Sequence, residues 1–289
     1  MKRNYWMVLV ALLVGANVWA QGKSETITKQ FAVNNAGAEF WFCVCNINGS
    51  VEVEAYDGEA VQVVVKKQVN GKTNEDLALG MEEVSLGVLE GAEFVKLFLS
   101  SPNHIMEDKA DPLQCSWEWN RKSEHKNYWY TLDFTVKVPK GISVKLSTVN
   151  KGSVLVKNVE GNVYASNVNG DVTLQNLASD TKASTVNGKL EVNYKSLPKE
   201  FGSFNTVNGD IEIRVPENAS AIFSFQSQWG EVYSDLEFTA KLAPKVTKTP
   251  DGNGVKYKIA NSNSYQYGKS GGPTFEFETL NGDVYLRKQ

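Results

Sequence analysis

The feature that most constrains the fold of this 289-residue chain is a repeat. From Val159 the sequence can be set out in rows of nine without a gap: VEGNVYASN (159–167), VNGDVTLQN (168–176), LASDTKAST (177–185) and VNGKLEVNY (186–194). Each row opens on Val or Leu, its third residue is Gly or Ser, and its fifth and seventh are mostly apolar or small. Gly152, Gly170 and Gly188 stand 18 residues apart, so the Asn-Gly pair marks every second row. Looser copies lie at Asn208-Gly209, Trp229-Gly230 and Asn281-Gly282, with an early outlier at Asn48-Gly49. A fixed period of this kind means stacked units, each burying its face only against its neighbours.

The physics of one row is readable. Asn and Gly tolerate positive φ, so Asn169-Gly170 and Asn187-Gly188 turn the chain at low cost. The residues that follow alternate, as in Asp171-Val172-Thr173-Leu174, which points Val172 and Leu174 to one face. Two rows make one flattened coil, and stacked coils form parallel sheets about 4.8 Å between strands. The expected fold class is therefore all-β, a β-solenoid or β-helix-like stack of short strands with Asn-Gly turns. An antiparallel β-meander or sandwich is the alternative, because Asn-Gly between apolar runs is also a hairpin signal. A two-residue loop at Asn169-Gly170 would put Val168 and Val172 on opposite faces, which favours the solenoid. A three-residue loop would restore the hairpin.

Residues 1–20 read as a signal peptide: Lys2 and Arg3, an apolar run from Tyr5 to Val14, then Val18-Trp19-Ala20 as a cleavage site. Residues 21–137 read as a β-rich unit with one short helix at 74–80, capped by Thr73, and a long loop at 101–127. Residues 138–289 hold the repeat, interrupted by a polar insertion at 240–273 and continuous with the N-terminal unit. Phe275 to Leu286 is expected as one final strand. No segment after the leader approaches the ~20 apolar residues of a spanning helix.

The chain contains 7 Trp, 11 Tyr and 13 Phe against 4 Met, a balance that suits strands. Its formal charge is −3, and −5 once the leader's two cations are removed. That balance, without a basic run, speaks against nucleic acid as a partner. Only His104 and His125 are present, so a His-based triad or three-His metal site has little material. Gly268-Lys269-Ser270-Gly271-Gly272 matches G-x-S-x-G on paper but lacks a strand-to-helix context, and reads as a turn. The rows carry one Gly each rather than the G-G-x-G-x-D pattern of calcium-binding nonapeptides, and no cofactor is expected. Polysaccharide-cleaving enzymes also use β-helices, but Glu160, Asp171 and Glu191 fall in different rows.

Export implies an oxidising compartment, in which Cys115 can pair with Cys43 or Cys45, two residues that share one strand face. All three can equally remain reduced, with the pair packed inward. Trp117, Trp119 and, just beyond the loop, Trp129 are the aromatic candidates for ligand contact, since long loops on rigid scaffolds carry binding function. The competing reading has the loop tryptophans fold back to cover an open end of the stack.

Val138-Pro139-Lys140-Gly141, then Ser147-Thr148-Val149-Asn150, then the repeated T-V-N-G and N-V-N-G units resemble the adhesin-like β-repeat family of bacterial cell-envelope proteins. Gly271-Gly272-Pro273 and Thr279-Leu280-Asn281-Gly282-Asp283-Val284-Tyr285 look like that family's ending. Lys151, inserted in a turn, and Trp229, in place of Val-Asn, depart from the pattern. The resemblance implies a β-solenoid-like exported domain without established catalytic residues. The expected function is thus a non-catalytic envelope module in the periplasm or on the cell surface, binding a glycan or a protein, or scaffolding. The alternatives are a carbohydrate-active enzyme on a β-helix and a regulatory protein of envelope stress.

Overall fold

The computed structural model describes residues 21–33, 37–106, 111–119, 126–244, 246–251, 254–259 and 262–289. The expected leader, residues 1–20, and His125 lie outside the described residues. The N-terminal part runs β1 (Gln21–Ala32), β2 (Trp41–Cys45), β3 (Val51–Tyr56), β4 (Ala60–Gly71), α1 (Asn74–Glu83), β5 (Ser85–Glu90), β6 (Phe94–Ser100), β7 (His104–Met106), β8 (Trp117–Trp119) and β9 (Tyr128–Pro139). The repeat supplies β10 (Ser143–Ser147), β11 (Val154–Lys157), β12 (Val163–Ser166), β13 (Val172–Leu177), β14 (Thr181–Asn187), β15 (Leu190–Tyr194), β16 (Phe201–Asn208), β17 (Ile211–Val215), β18 (Ala221–Ser227) and β19 (Val232–Ser234). The chain closes with β20 (Phe238–Leu242), β21 (Val246–Asp251), β22 (Gly254–Ile259), β23 (Asn263–Tyr267), β24 (Thr274–Thr279) and β25 (Val284–Lys288).

Consecutive repeat strands lie in opposite sheets, and from β10 to β15 each pairs in parallel with the strand two further on. That is a flattened β-solenoid, not a meander of hairpins. Sheet I runs β1-β4-β9-β3-β11-β13-β15-β17-β25-β19, and sheet II runs β20-β23-β18-β24-β16-β14-β12-β10-β2-β6-β5. Period-2 alternation puts identical columns in the core. In sheet I, Val51, Val154, Val172, Leu190, Ile211 and Val284 stand in register and are fully buried. In sheet II, Val44, Leu146, Ala165, Ala183, Phe204, Phe277 and Phe225 form a matching column. The column ends in an aromatic stack, with Phe225–Phe277 centroids 5.1 Å and Phe223–Phe275 centroids 5.2 Å apart. Gly202 faces Phe275, where a Cβ would fall 2.6 Å from the ring.

The stack does not follow chain order at either end. The last coil, β24–β25, is inserted between β16–β17 and β18–β19. The first coil, β2–β3, is likewise held between β10–β11 and a terminal layer made by β6 and β9. The coils β2–β3 and β24–β25 are thus hydrogen-bonded on both sides, so neither is the terminal rung where a solenoid would fray. The end layers are antiparallel: β4 and β1 extend sheet I under α1, and β23 and β20 extend sheet II. Helix α1 is capped by Thr73, whose hydroxyl accepts from the Asp76 N–H at 3.1 Å while Asp76 accepts from the Thr73 N–H. The single strand expected over 275–286 is two strands, broken at Asn281-Gly282 because that pair is itself a corner between the sheets.

Candidate binding face on the outer surface of sheet II

The structure assigns a separate task to each residue of the corner sequence, seen in Ser147-Thr148-Val149-Asn150, Ser166-Asn167-Val168-Asn169-Gly170, Ser184-Thr185-Val186-Asn187-Gly188, Asn205-Thr206-Val207-Asn208-Gly209 and Glu278-Thr279-Leu280-Asn281-Gly282. The second residue turns inward and is buried; Thr185 donates to the Gly170 carbonyl at 2.9 Å and Thr148 to that of Gly49 at 2.8 Å. The third forms an apolar ridge along the corner, with Val186, Val207 and Leu280 exposed. The fourth builds an amide ladder: Asn169 donates to Asn150, Asn187 to Asn169, Asn208 to Asn187 and Asn281 to Asn208, at 2.7–2.9 Å. Asn48 sits outside this ladder, bridged through its backbone to Asn150.

The glycines serve close approach more than turn geometry. Positive φ occurs at Gly49 and Gly209, but not at Gly170, Gly188 or Gly282. At these three a Cβ would lie 2.3, 2.3 and 1.7 Å from the carbonyl oxygen of the preceding layer's glycine, Gly152, Gly170 and Gly209 respectively. At Gly170 and Gly188 the backbone is not left-handed as expected; there neighbouring coils touch backbone to backbone. In the Trp229 coil, the Trp229 N–H donates to the Leu280 carbonyl just as Asn281 donates to Val207. Trp229 therefore takes the ladder slot alone, with Gln228 in the ridge slot.

The first residue of the corner sequence points outward from sheet II. Cys45, Ser147, Ser166, Ser184, Asn205, Glu278 and Gln226 stand in one register row across the strands. Two residues earlier a second outward row holds Cys43, Lys145, Tyr164, Lys182, Ser203 and Glu276. Small side chains between the taller second row and the valine ridge leave a trough. Its first part, about 610 Å³, is lined by Ser147, Ser166, Ser184, Lys145, Tyr164 and Lys182 among others. A second part of about 460 Å³ shares Ser184 and Asn205 and continues past Glu278 and Gln226 to Val207 and Leu280. Tyr164 is held by Trp41, centroids 4.9 Å apart, and the Lys182 ammonium lies 4.9 Å from the Tyr164 ring and 5.2 Å from that of Phe201.

One end of the trough is closed by a strap, residues 111–117. A Cys45–Cys115 disulfide fastens it to β2, and Cys43 is the free thiol, fully buried. Lys96, only 2% exposed, donates to the carbonyls of Pro112 at 3.0 Å and Gln114 at 2.9 Å. Asp111 on the strap lies 3.7 Å from Lys145. The Cys43 sulfur is 3.7 Å from that of Cys45 and donates to the Leu113 carbonyl at 3.6 Å. Burial pushes the Cys43 thiol up to about 12, against the lowering pull of Lys96 and Lys145, so it stays protonated. The three sulfurs lie within 4.8 Å of one another, and two of them are spent on the disulfide.

Trp117 is half-buried against the core and its indole donates to the Leu99 carbonyl at 3.4 Å, so it anchors the strap. Trp119 lies on β8, opposite His104 of β7. Trp129 is exposed on β9, across from Asn70 of β4 in sheet I and away from the trough. Trp117 and Trp129 do not line the trough above the serine row. His104 shares a hydrogen bond with the Ser101 hydroxyl at 3.0 Å, and burial lowers its pKa. The trough residues were missed in the sequence, although Ser147, Ser166 and Ser184 recur three positions before each ladder Asn, at Asn150, Asn169 and Asn187. On sheet I the carboxyl of Glu212 is held below its usual range by a hydrogen bond from Lys189, helped by Arg214. That is the opposite of the raised pKa a general acid needs.

No curated protein matches the chain in sequence. Among solved structures, a candidate cell-adhesion protein from Clostridium sporogenes aligns over 92% of this chain and 100% of its own, at 10% identity and a TM-score of 0.41. A candidate adhesin from Bacteroides fragilis aligns over 92% and 97%, at 13% identity and a TM-score of 0.34. One from Parabacteroides distasonis aligns over 92% and 97%, at 10% identity and a TM-score of 0.27. The Toastrack DUF4097 family model matches residues 133–285, more than half of the chain and nearly all of its repeat, and the chain belongs to that family.

Proposed function

We propose that this protein is a non-catalytic, exported module of the cell envelope that binds its ligand on the outer face of sheet II. The observation that carries this reading is the in-register row of small polar side chains, which turns a sheet surface into a continuous trough with a fastened end. Ser147, Ser166 and Ser184 keep the floor low over three successive rungs, beside the taller Lys145, Tyr164 and Lys182. The disulfide supports an address outside the cytoplasm, where such bonds persist. The reading treats residues 1–20 as a removed leader and 138–289 as the repeat unit carrying most of the face.

The test is capture of the mature protein by an isolated envelope fraction, beside a Ser166→Trp variant that fills the trough from an outward-facing position. Loss of capture in the variant, with unchanged thermal unfolding, supports the reading; equal capture sinks it. Protease treatment of intact and lysed cells then separates the addresses: cleavage on intact cells means surface, protection until lysis means periplasm. A protein partner is favoured by one other observation, Trp229 at 74% exposure beside the exposed Val232 and Tyr233. Trp229→Ala abolishing capture while Ser166→Trp does not would establish that second reading.

A further inference from the structure

The geometry points to a linear, uncharged polysaccharide as the ligand, laid along the stack axis and across the strands; this rests on the outer face of sheet II being the binding face. The floor row repeats once per strand, about 4.8 Å, so Ser147 to Asn205 spans ~14 Å and Ser147 to Gln226 ~24 Å. That is an extended slot for a polymer, not a pocket for a single small molecule. The Ser147 and Ser184 hydroxyls make no hydrogen bond among the described residues, and both point into the slot. Each can donate and accept, which suits a ligand that presents hydroxyls on every unit.

Three features exclude other polymers. The backbone beneath the row is paired on both sides of every strand from β10 to β24, so an extended peptide finds no free edge to join. The floor from Ser147 to Asn205 carries no charge, and the cations of the wall are engaged: Lys145 with Asp111, Lys182 over two aromatic rings. Further along, Glu276 and Glu278 face the path and would repel a polyanion. Finally, apolar surface flanks the polar floor, with Val207 and Leu280 on one side and the Tyr164 ring, set between Lys145 and Lys182, on the other. A sugar chain, with C–H faces and hydroxyl edges, matches that division.

The probes are the neutral pentasaccharides of glucose and of N-acetylglucosamine, titrated into the mature, disulfide-bonded protein, with polygalacturonate as the charged comparator. Expected is saturable binding of at least one neutral pentasaccharide, weakened tenfold or more in both Ser166→Trp and Ser184→Trp, and no competition by polygalacturonate. Absence of neutral-sugar binding up to about 10 mM overturns the inference. So does polygalacturonate binding that the tryptophan variants abolish; in that outcome the face stands and only its ligand chemistry is wrong. Should envelope capture itself ignore Ser166→Trp, the reading beneath the inference fails instead.

Discussion

In Gly188→Ala the new Cβ would lie 2.3 Å from the carbonyl oxygen and 2.5 Å from the carbonyl carbon of Gly170, both backbone atoms that no rotamer change can move. Ordinary contact begins near 3.4 Å, so the two coils must part locally by about 1 Å out of a spacing of ~4.8 Å. Overpacking of this kind costs about 1–3 kcal/mol. The same shift loosens the Asn187 N–H bond to the Val168 carbonyl, 2.8 Å, and the Asn187–Asn169 rung, 2.8 Å, at ~1 kcal/mol for each bond lost. Against this stands a gain of about 0.4–1 kcal/mol from the stiffer unfolded chain. The net expectation is a loss of about 2–4 kcal/mol, read as a lower urea midpoint at unchanged m. If Gly188 served only to turn the chain, alanine would be accepted, because its φ lies outside the left-handed region, and stability would hold or rise. A midpoint equal to or above that of the parent refutes the close-approach argument.

Asn187→Ala removes the donor to Asn169 and the acceptor of Asn208, both exposed, and should cost about 1 kcal/mol by the same denaturation measurement. Cys115→Ser opens a disulfide whose ends are 70 residues apart and should cost about 2–4 kcal/mol, with new protease cleavage in the 111–117 strap. Native protein should resist thiol alkylation at pH 8, and one thiol, Cys43, should appear on denaturation; prompt labelling of the native chain would contradict its burial. The thiol's folded pKa, about 12, lies above its reference value of 9.0, so the folded state holds a proton that the unfolded chain has lost between those values. Its contribution is complete below pH 9 and declines as pH rises from there toward 12, by ~1.4 kcal/mol per unit, and the Cys43→Ala profile should lack that slope.

What the sequence determined by itself was the local grammar. Alternation at Val172-Thr173-Leu174 and Leu190-Glu191-Val192 dictates which side chains face inward, and the Asn-Gly corners spaced 18 apart dictate short strands in coils. The cap at Thr73 was legible for the same reason: these are interactions among residues a few positions apart. Tertiary structure alone decided which rungs are neighbours. Every coil offers nearly the same backbone hydrogen bonds, so the order of the rungs is set by side chains that meet only on stacking: Phe275 and Phe277 of β24 fit between the phenylalanines of β16 and β18. It decided the choice of Cys45 over Cys43 for Cys115, since both share one face and only the path of the strap separates them. It also decided the trough, because Ser147, Ser166, Ser184 and Asn205 lie about twenty residues apart along the chain and become one surface only when stacking sets them a strand's width apart.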